Sequence, residues 1–191
     1  MMARKKGGGV TFVDWIKGDG ISSYILTGIP VKDIEWEFKM RFATKFTIGA
    51  YYGGRFHLDA PYLGNFSLGL GPGDHWLNVA PVDNELHTFI MRTDGIAMMD
   101  GRQVGVGKLA PIDYELFHNI SLLCRIDHNA VPNAYSDSPL YYSTIRDITT
   151  SVVLQDLRPA IVDGEYLMYD MVSGLLFRNN GGGIIYGGND D

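Results

Sequence analysis

The sequence predicts an all-β fold, an antiparallel sandwich or barrel, from three observations. Twenty-four glycines and eight prolines spread through 191 residues leave few windows long enough for a helix of ordinary length. Between Ile34 and Phe42 apolar and charged residues alternate at period two. Further short apolar segments recur at turn-separated intervals, the pattern of an antiparallel sandwich or barrel.

The elements follow in order. Ser22 to Ile29 reads as a strand. Next, Ile34, Trp36, Phe38, Met40 and Phe42 alternate with Glu35, Glu37, Lys39 and Arg41, which gives a strand with an apolar face turned inward and a charged face turned outward. On a helix the same residues would spread around the axis and bury charge with every apolar contact, an unfavourable exchange. Strands are also expected at Thr47 to Tyr52, Arg55 to Asp59, Asn65 to Leu70, Leu86 to Arg92, Ile96 to Asp100, Asn119 to Asp127, Tyr141 to Ile148, Ser151 to Leu157, Tyr166 to Tyr169 and Leu175 to Arg178. Asp94-Gly95 and Asp100-Gly101 supply residues that tolerate positive φ in tight turns, so the chain meanders from Leu86 to about Val106. The one helical expectation is short, Pro111 to Phe117, with proline near its start and Asp113 and Glu115 in its first turn. Residues 127–138 read as a loop.

Composition bounds the function. With 46% hydrophobic residues and 12% aromatic ones, the chain can bury the core of one domain. Sixteen Lys and Arg against 22 Asp and Glu leave a net charge of −6, which argues against gripping a phosphate backbone, and nucleic acid is not an expected partner. A single cysteine, Cys124, permits no internal disulfide and no cysteine-rich zinc site, and it sits in an apolar run that predicts a buried, inert thiol. The charged opening lacks an apolar stretch behind it and no long apolar run follows, so neither a signal peptide nor a membrane span is expected. The expected organisation is a basic, glycine-rich arm over residues 1–9, a sandwich over 10–188 and an acidic tail over 189–191, with Gly187 to Asp191 flexible.

Several segments carry a family likeness. Trp15-Ile16-Lys17-Gly18-Asp19-Gly20 followed by Ser23 to Ile29 resembles the opening strand pair of concanavalin A-like lectin/glucanase (laminin-G-like) domains of gut bacterial and phage proteins. Leu86 to Phe89 with Asp94-Gly95, and Met99-Asp100-Gly101-Arg102-Gln103-Val104, resemble the paired central strands of that family. The closing segment is the most specific: Leu154-Gln155-Asp156-Leu157-Arg158-Pro159-Ala160, then Asp163-Gly164, then Tyr169-Asp170-Met171-Val172-Ser173-Gly174-Leu175-Leu176-Phe177-Arg178-Asn179. The likeness runs over most of residues 12–186. It implies an antiparallel two-sheet jelly-roll sandwich and leaves activity open, since this fold hosts lectins, hydrolases, adhesion modules and particle proteins. By residue type, Tyr169 to Gly174 places an aromatic, a turn-forming carboxylate and a glycine at a tight connection, a scaffold feature.

The candidate chemistry is sparse. Family hydrolases carry catalytic carboxylates on one strand, and Asp33, Glu35 and Glu37 lie at alternate positions with a repeat of about 6.8 Å, near glycosidase separations. Their order departs from that pattern, and Lys39 and Arg41 continue the face as mixed surface charge. The histidines show no metal-ligand spacing, no GxSxG elbow is present, and the glycine runs lack a phosphate loop's lysine. No catalytic residue, metal site or cofactor is therefore expected. Glycan recognition needs aromatic faces and hydroxyl-bonding side chains, and Tyr52, Asp59, Tyr62, Asn65 and Trp76 supply those types in loop-rich sequence. Arg4, Lys5 and Lys6, followed by three glycines, form an arm suited to an acidic partner.

The expected function is a non-enzymatic structural or binding module. The likeness places it on a phage virion surface, as a capsid decoration or tail protein made in the host cytoplasm, with other virion proteins or copies of itself as partners and glycans as a further ligand. A free carbohydrate-binding lectin is the alternative, and a glycoside hydrolase ranks below both.

Overall fold

A computed structural model describes residues 9–41, 46–51, 55–62, 65–71, 76–81, 83–106, 119–126 and 131–190. The described residues form strands and turns, with no helix among them. In chain order the strands are β1 (Thr11–Phe12), β2 (Trp15–Lys17), β3 (Ile25–Pro30), β4 (Ile34–Arg41), β5 (Phe46–Tyr51), β6 (Arg55–Tyr62), β7 (Asn65–Gly71), β8 (Trp76–Pro81), β9 (Leu86–Arg92), β10 (Ile96–Met99), β11 (Arg102–Val106), β12 (Asn119–Leu122), β13 (Arg125–Ile126), β14 (Pro132–Asn133), β15 (Leu140–Asp147), β16 (Val153–Val162), β17 (Glu165–Asp170), β18 (Leu176–Phe177) and β19 (Tyr186–Gly188).

One large sheet runs β11-β10-β9-β4-β15-β16-β17-β18, with β1 added to β16 and β2 joined to both β15 and β19. Against it lie the β12–β3 pair and a second sheet, β14-β13-β5-β6-β7-β8. Pairing is antiparallel except between β13 and β5. The layers meet as a β-sandwich because alternation turns one face of each strand inward. Trp36, Phe38 and Met40 of β4, Phe89 and Met91 of β9 and Leu157 of β16 share a solvent-free core with Phe56 and Leu58 of β6, Ile25 of β3 and Ile120 and Leu122 of β12. Trp36 stacks on Phe56 across the layers at 6.1 Å, and on its own strand lies 4.6 Å from Phe38. Each such side chain contributes about 1.5–3 kcal/mol by leaving water.

The turns follow their residues. Asp100-Gly101 and Asp163-Gly164 both hold two consecutive positive φ angles, 49° and 74°, then 53° and 81°, the twist that a two-residue hairpin needs. At Thr93-Asp94-Gly95 only Gly95 turns positive, at 97°, and its N–H closes on Arg92 O at 3.0 Å.

Five expectations need correction. β2 and β3 do not pair with each other: β2 joins the large sheet and β3 pairs with β12. The strand expected from Asn119 to Asp127 breaks at Leu123, whose φ is +65°, because buried Ser121 turns its hydroxyl onto Cys124 O at 2.8 Å. The strand expected to stop at Leu157 continues to Val162, where β17 pairs with it on one side and β1 on the other. Trp76 lies at the start of a strand, β8, that the loop-rich reading omitted. The tail from Gly187 is docked: Tyr186, Gly187 and Gly188 pair with Lys17, Ile16 and Trp15. A strand of small residues carries no hydrophobic alternation, so its pairing depends on what lies beside it. The helix expected at Pro111 to Phe117 and the inward position of Phe42 lie outside the described residues.

The chain's two end regions are also knotted at Asp19. Its carboxylate accepts from the N–H groups of Ile21, Ser22 and Ser23 at 2.9–3.0 Å and from the Ser23 hydroxyl at 2.8 Å. Burial would raise its pKa, but these donors outweigh it and hold the carboxyl well below the usual range. Asn179 Oδ1 accepts from the Tyr24 N–H at 3.1 Å and Asn180 Oδ1 from the Leu26 N–H at 2.8 Å, fastening the closing segment over this turn.

Candidate functional site

The site begins with one extra residue. Leu140 pairs with Met40 and Tyr142 with Lys39, so Tyr141 is a bulge in β15, a device that re-aims side chains. Tyr142 shares the charged face of β4. Its ring lies under the Arg158 guanidinium at 4.8 Å, and its hydroxyl donates to Glu37 Oε1 at 2.6 Å. Burial and the Glu37 carboxylate push that phenol up to about 12. The Tyr141 hydroxyl accepts from Arg41 Nη2 at 3.3 Å and donates to Asp190 Oδ1 at 3.0 Å.

Beside the bulge opens a cavity of about 320 Å³ lined by Phe12, Val13, Asp14, Tyr141, Arg158, Pro159 and Met171. Backbone bonds fix its walls: Val13 N–H to Pro159 O at 3.1 Å, Asp14 N–H to Gly188 O at 2.9 Å and Met171 N–H to Asp156 O at 2.8 Å. Phe12 is half-exposed and meets Tyr169 edge to face at 5.7 Å. Arg158 is held by Asp156 at 2.9 Å, and Asp156 also accepts from the Thr144 hydroxyl. The lining joins apolar Phe12, Val13, Pro159 and Met171 to polar Asp14, Tyr141 and Arg158, the general make-up of a small-molecule site.

The acids of β4 are engaged elsewhere. Arg146 Nη1 lies 3.3 Å from Glu37 and 3.7 Å from Glu35, and Arg92 reaches Glu35 at 3.8 Å. This is a charge-matched sheet surface laid across β9, β4 and β15. Cys124 is fully buried, and desolvation pushes its thiol up to about 12, an unreactive state.

Of the sequence-derived glycan candidates, Tyr52 lies outside the described residues. Asp59 and Tyr62 belong to β6, Asn65 to β7 and Trp76 to β8. Tyr62 pairs with Asn65, whereas Trp76 pairs with Gly69, four positions or about 13 Å further along β7. Arg4, Lys5 and Lys6 also lie outside the described residues. The sequence reading missed Phe12, Asp14, Tyr141 and Arg158 because they come from distant segments and meet only through sheet pairing. The one local signal was Tyr141-Tyr142, two aromatics side by side where strict alternation allows one per face.

Comparison with protein-family models, with curated proteins and with solved structures returns no match.

Proposed function

We propose that this chain is a non-enzymatic binding module with a jelly-roll sandwich scaffold, and that its ligand is a sugar held at the Tyr141 bulge. The observation that carries the reading is the cavity itself, where apolar Phe12, Val13, Pro159 and Met171 lie beside Asp14, Tyr141 and Arg158. A sugar ring presents apolar C–H faces and a periphery of hydroxyls, which calls for that combination of apolar and polar lining. At about 320 Å³ the cavity stands at the low end of ligand pockets, room for about one ring.

The paired state of Glu35 and Glu37 supports binding over hydrolysis, because a glycosidase needs one carboxyl placed apart from cations to remain protonated. In this reading the module works at a particle surface, as the resemblance to phage and gut bacterial domains implies, with the basic arm of residues 1–9 docked on an acidic partner. The test combines a glycan array with hydrolysis assays on β-glucans and galactans, using the parent and the Glu35→Gln/Glu37→Gln variant. Array binding lost in Arg158→Ala, without hydrolysis, supports the module. Hydrolysis by the parent that disappears in the double variant overturns it. Removal of residues 1–9 should abolish co-purification with particles.

A further inference from the structure

Asp190 is held as a ligand's acid would be. Its carboxylate accepts from the Tyr141 hydroxyl at 3.0 Å, on which Arg41 Nη2 also converges at 3.3 Å. Its backbone N–H donates to Asp14 Oδ2 at 2.9 Å. Tyr141 and Asp14 both line the cavity, so Asp190 stands on its rim, bonded to two of its walls. These bonds are solvent-exposed and individually weak. The residues that carry them follow β19, whose pairing with β2 is independent of the Asp190 side chain.

Resting on the sugar-site reading above, we propose that the cavity takes an acidic sugar, a hexuronate unit, and that Asp190 is the chain's own stand-in for its carboxylate. The ring lies on Phe12, Pro159 and Met171, and its carboxylate replaces that of Asp190 at the Tyr141 hydroxyl, on which Arg41 also converges. Arg158, anchored through Nη2 on Asp156 and stacked on Tyr142, turns its other guanidinium donors to the ring hydroxyls, and Asp14 accepts from them. Arg158 lines this space of single-ring size and Arg41 reaches its Tyr141 hydroxyl at 3.3 Å, so a carboxylate placed at that hydroxyl lies beside a cationic side chain that a neutral sugar leaves unused. An acidic peptide would need a groove or a sheet edge along which to extend. The tail thereby competes with ligand: a stand-in that fills the position nine-tenths of the time weakens apparent affinity about tenfold.

The experiment measures binding of methyl glucuronide, methyl glucoside and succinate to the full chain by calorimetry, in the parent, Asp190→Ala, Asp190→Asn and Asp190→Ala/Arg41→Met. Circular dichroism checks that each variant is folded. The expected result is glucuronide binding tightened about tenfold in both Asp190 variants, unchanged weak glucoside binding, and loss of the gain when Arg41 is also replaced. Equal gains for glucoside and glucuronide overturn the acid-specific proposal while leaving a sugar site standing. Succinate binding as tight as glucuronide overturns it in favour of a bare anion site. Absence of binding by every probe, in parent and variants, overturns both this proposal and the sugar reading.

Discussion

The indole N–H of Trp36 donates to Ser143 Oγ at 2.9 Å across the β4–β15 ladder, in a core where neither residue touches solvent. A tryptophan can occupy the middle of a sandwich only if that donor finds a partner there. Ser143 is therefore as much part of the core as the aromatic it serves.

Ser143→Ala should leave the indole N–H buried without a partner and cost about 1–3 kcal/mol. Urea unfolding should show a lower midpoint with an unchanged slope. Trp36→Phe should cost less in the Ser143→Ala background than in the parent, since the polar atom is then gone. Equal costs in both backgrounds would show that the bond contributes nothing.

Asp170 is nearly buried and accepts from the N–H groups of Asp156, Val172 and Ser173 at 2.9, 3.1 and 3.2 Å and from the Ser173 hydroxyl at 2.5 Å. Asp170→Ala should destabilise the fold by roughly 3 kcal/mol or more, because several donors lose their acceptor together. Asp170→Asn keeps one carbonyl oxygen and should lose less. Thermal unfolding of the two variants orders them.

The His87 imidazole lies between two carboxylates, Nδ1 at 2.6 Å from Asp100 and Nε2 at 3.1 Å from Asp83. Burial would lower its pKa, but the hydrogen bonds it donates to Asp100 and Asp83 outweigh that and raise it. A folded-state pKa above the unfolded value of about 6.5 means stabilisation that is complete below that pH and is lost as pH rises through the raised value. Both carboxylates are shifted the other way, down, against the contrary pull of their own desolvation, so their contribution is present above about 3.9 and disappears as pH falls through their lowered values. Denaturation midpoints should decline from slightly acid pH into mild alkali in the parent. His87→Gln should flatten that decline, and an unchanged slope would refute the assignment.

Gly181 and Gly183 press against Ser22 and Asp19 so closely that a Cβ at either position would overlap the Ser22 carbonyl or the Asp19 carboxylate. Alanine at either glycine should cost about 1–3 kcal/mol and loosen the closing segment. Limited proteolysis is expected to cut near residues 179–185 in Gly181→Ala sooner than in the parent. By contrast Gly182→Ala, where a Cβ meets open space, should behave like the parent.

The fold was legible wherever a residue's role is decided by its immediate neighbours. The β4 alternation places Trp36, Phe38 and Met40 in the core and pairs Glu35 and Glu37 with arginines, and Leu86–Arg92 forms the strand that its residues predict. Very short strands escaped: Thr11–Phe12 and Tyr186–Gly188 hold their places through partners far away in sequence. The cavity was illegible for the same reason. Phe12, Tyr141 and Arg158 become neighbours only after β1 has been laid beside β16 and the Tyr141 bulge has shifted the register of β15.

The docking of β19 on β2 has a kinetic side. Asp14 and Asp190 are bonded at a separation of 176 residues, and Tyr24 and Asn179 at 155, so closing these contacts requires very long loops. During synthesis β2 emerges before its partner and waits, with that edge exposed, until Tyr186–Gly188 leaves the ribosome. Completion of the sheet edge thus waits for all the strands between them, and a nascent chain stalled before β19 presents an open strand to its neighbours.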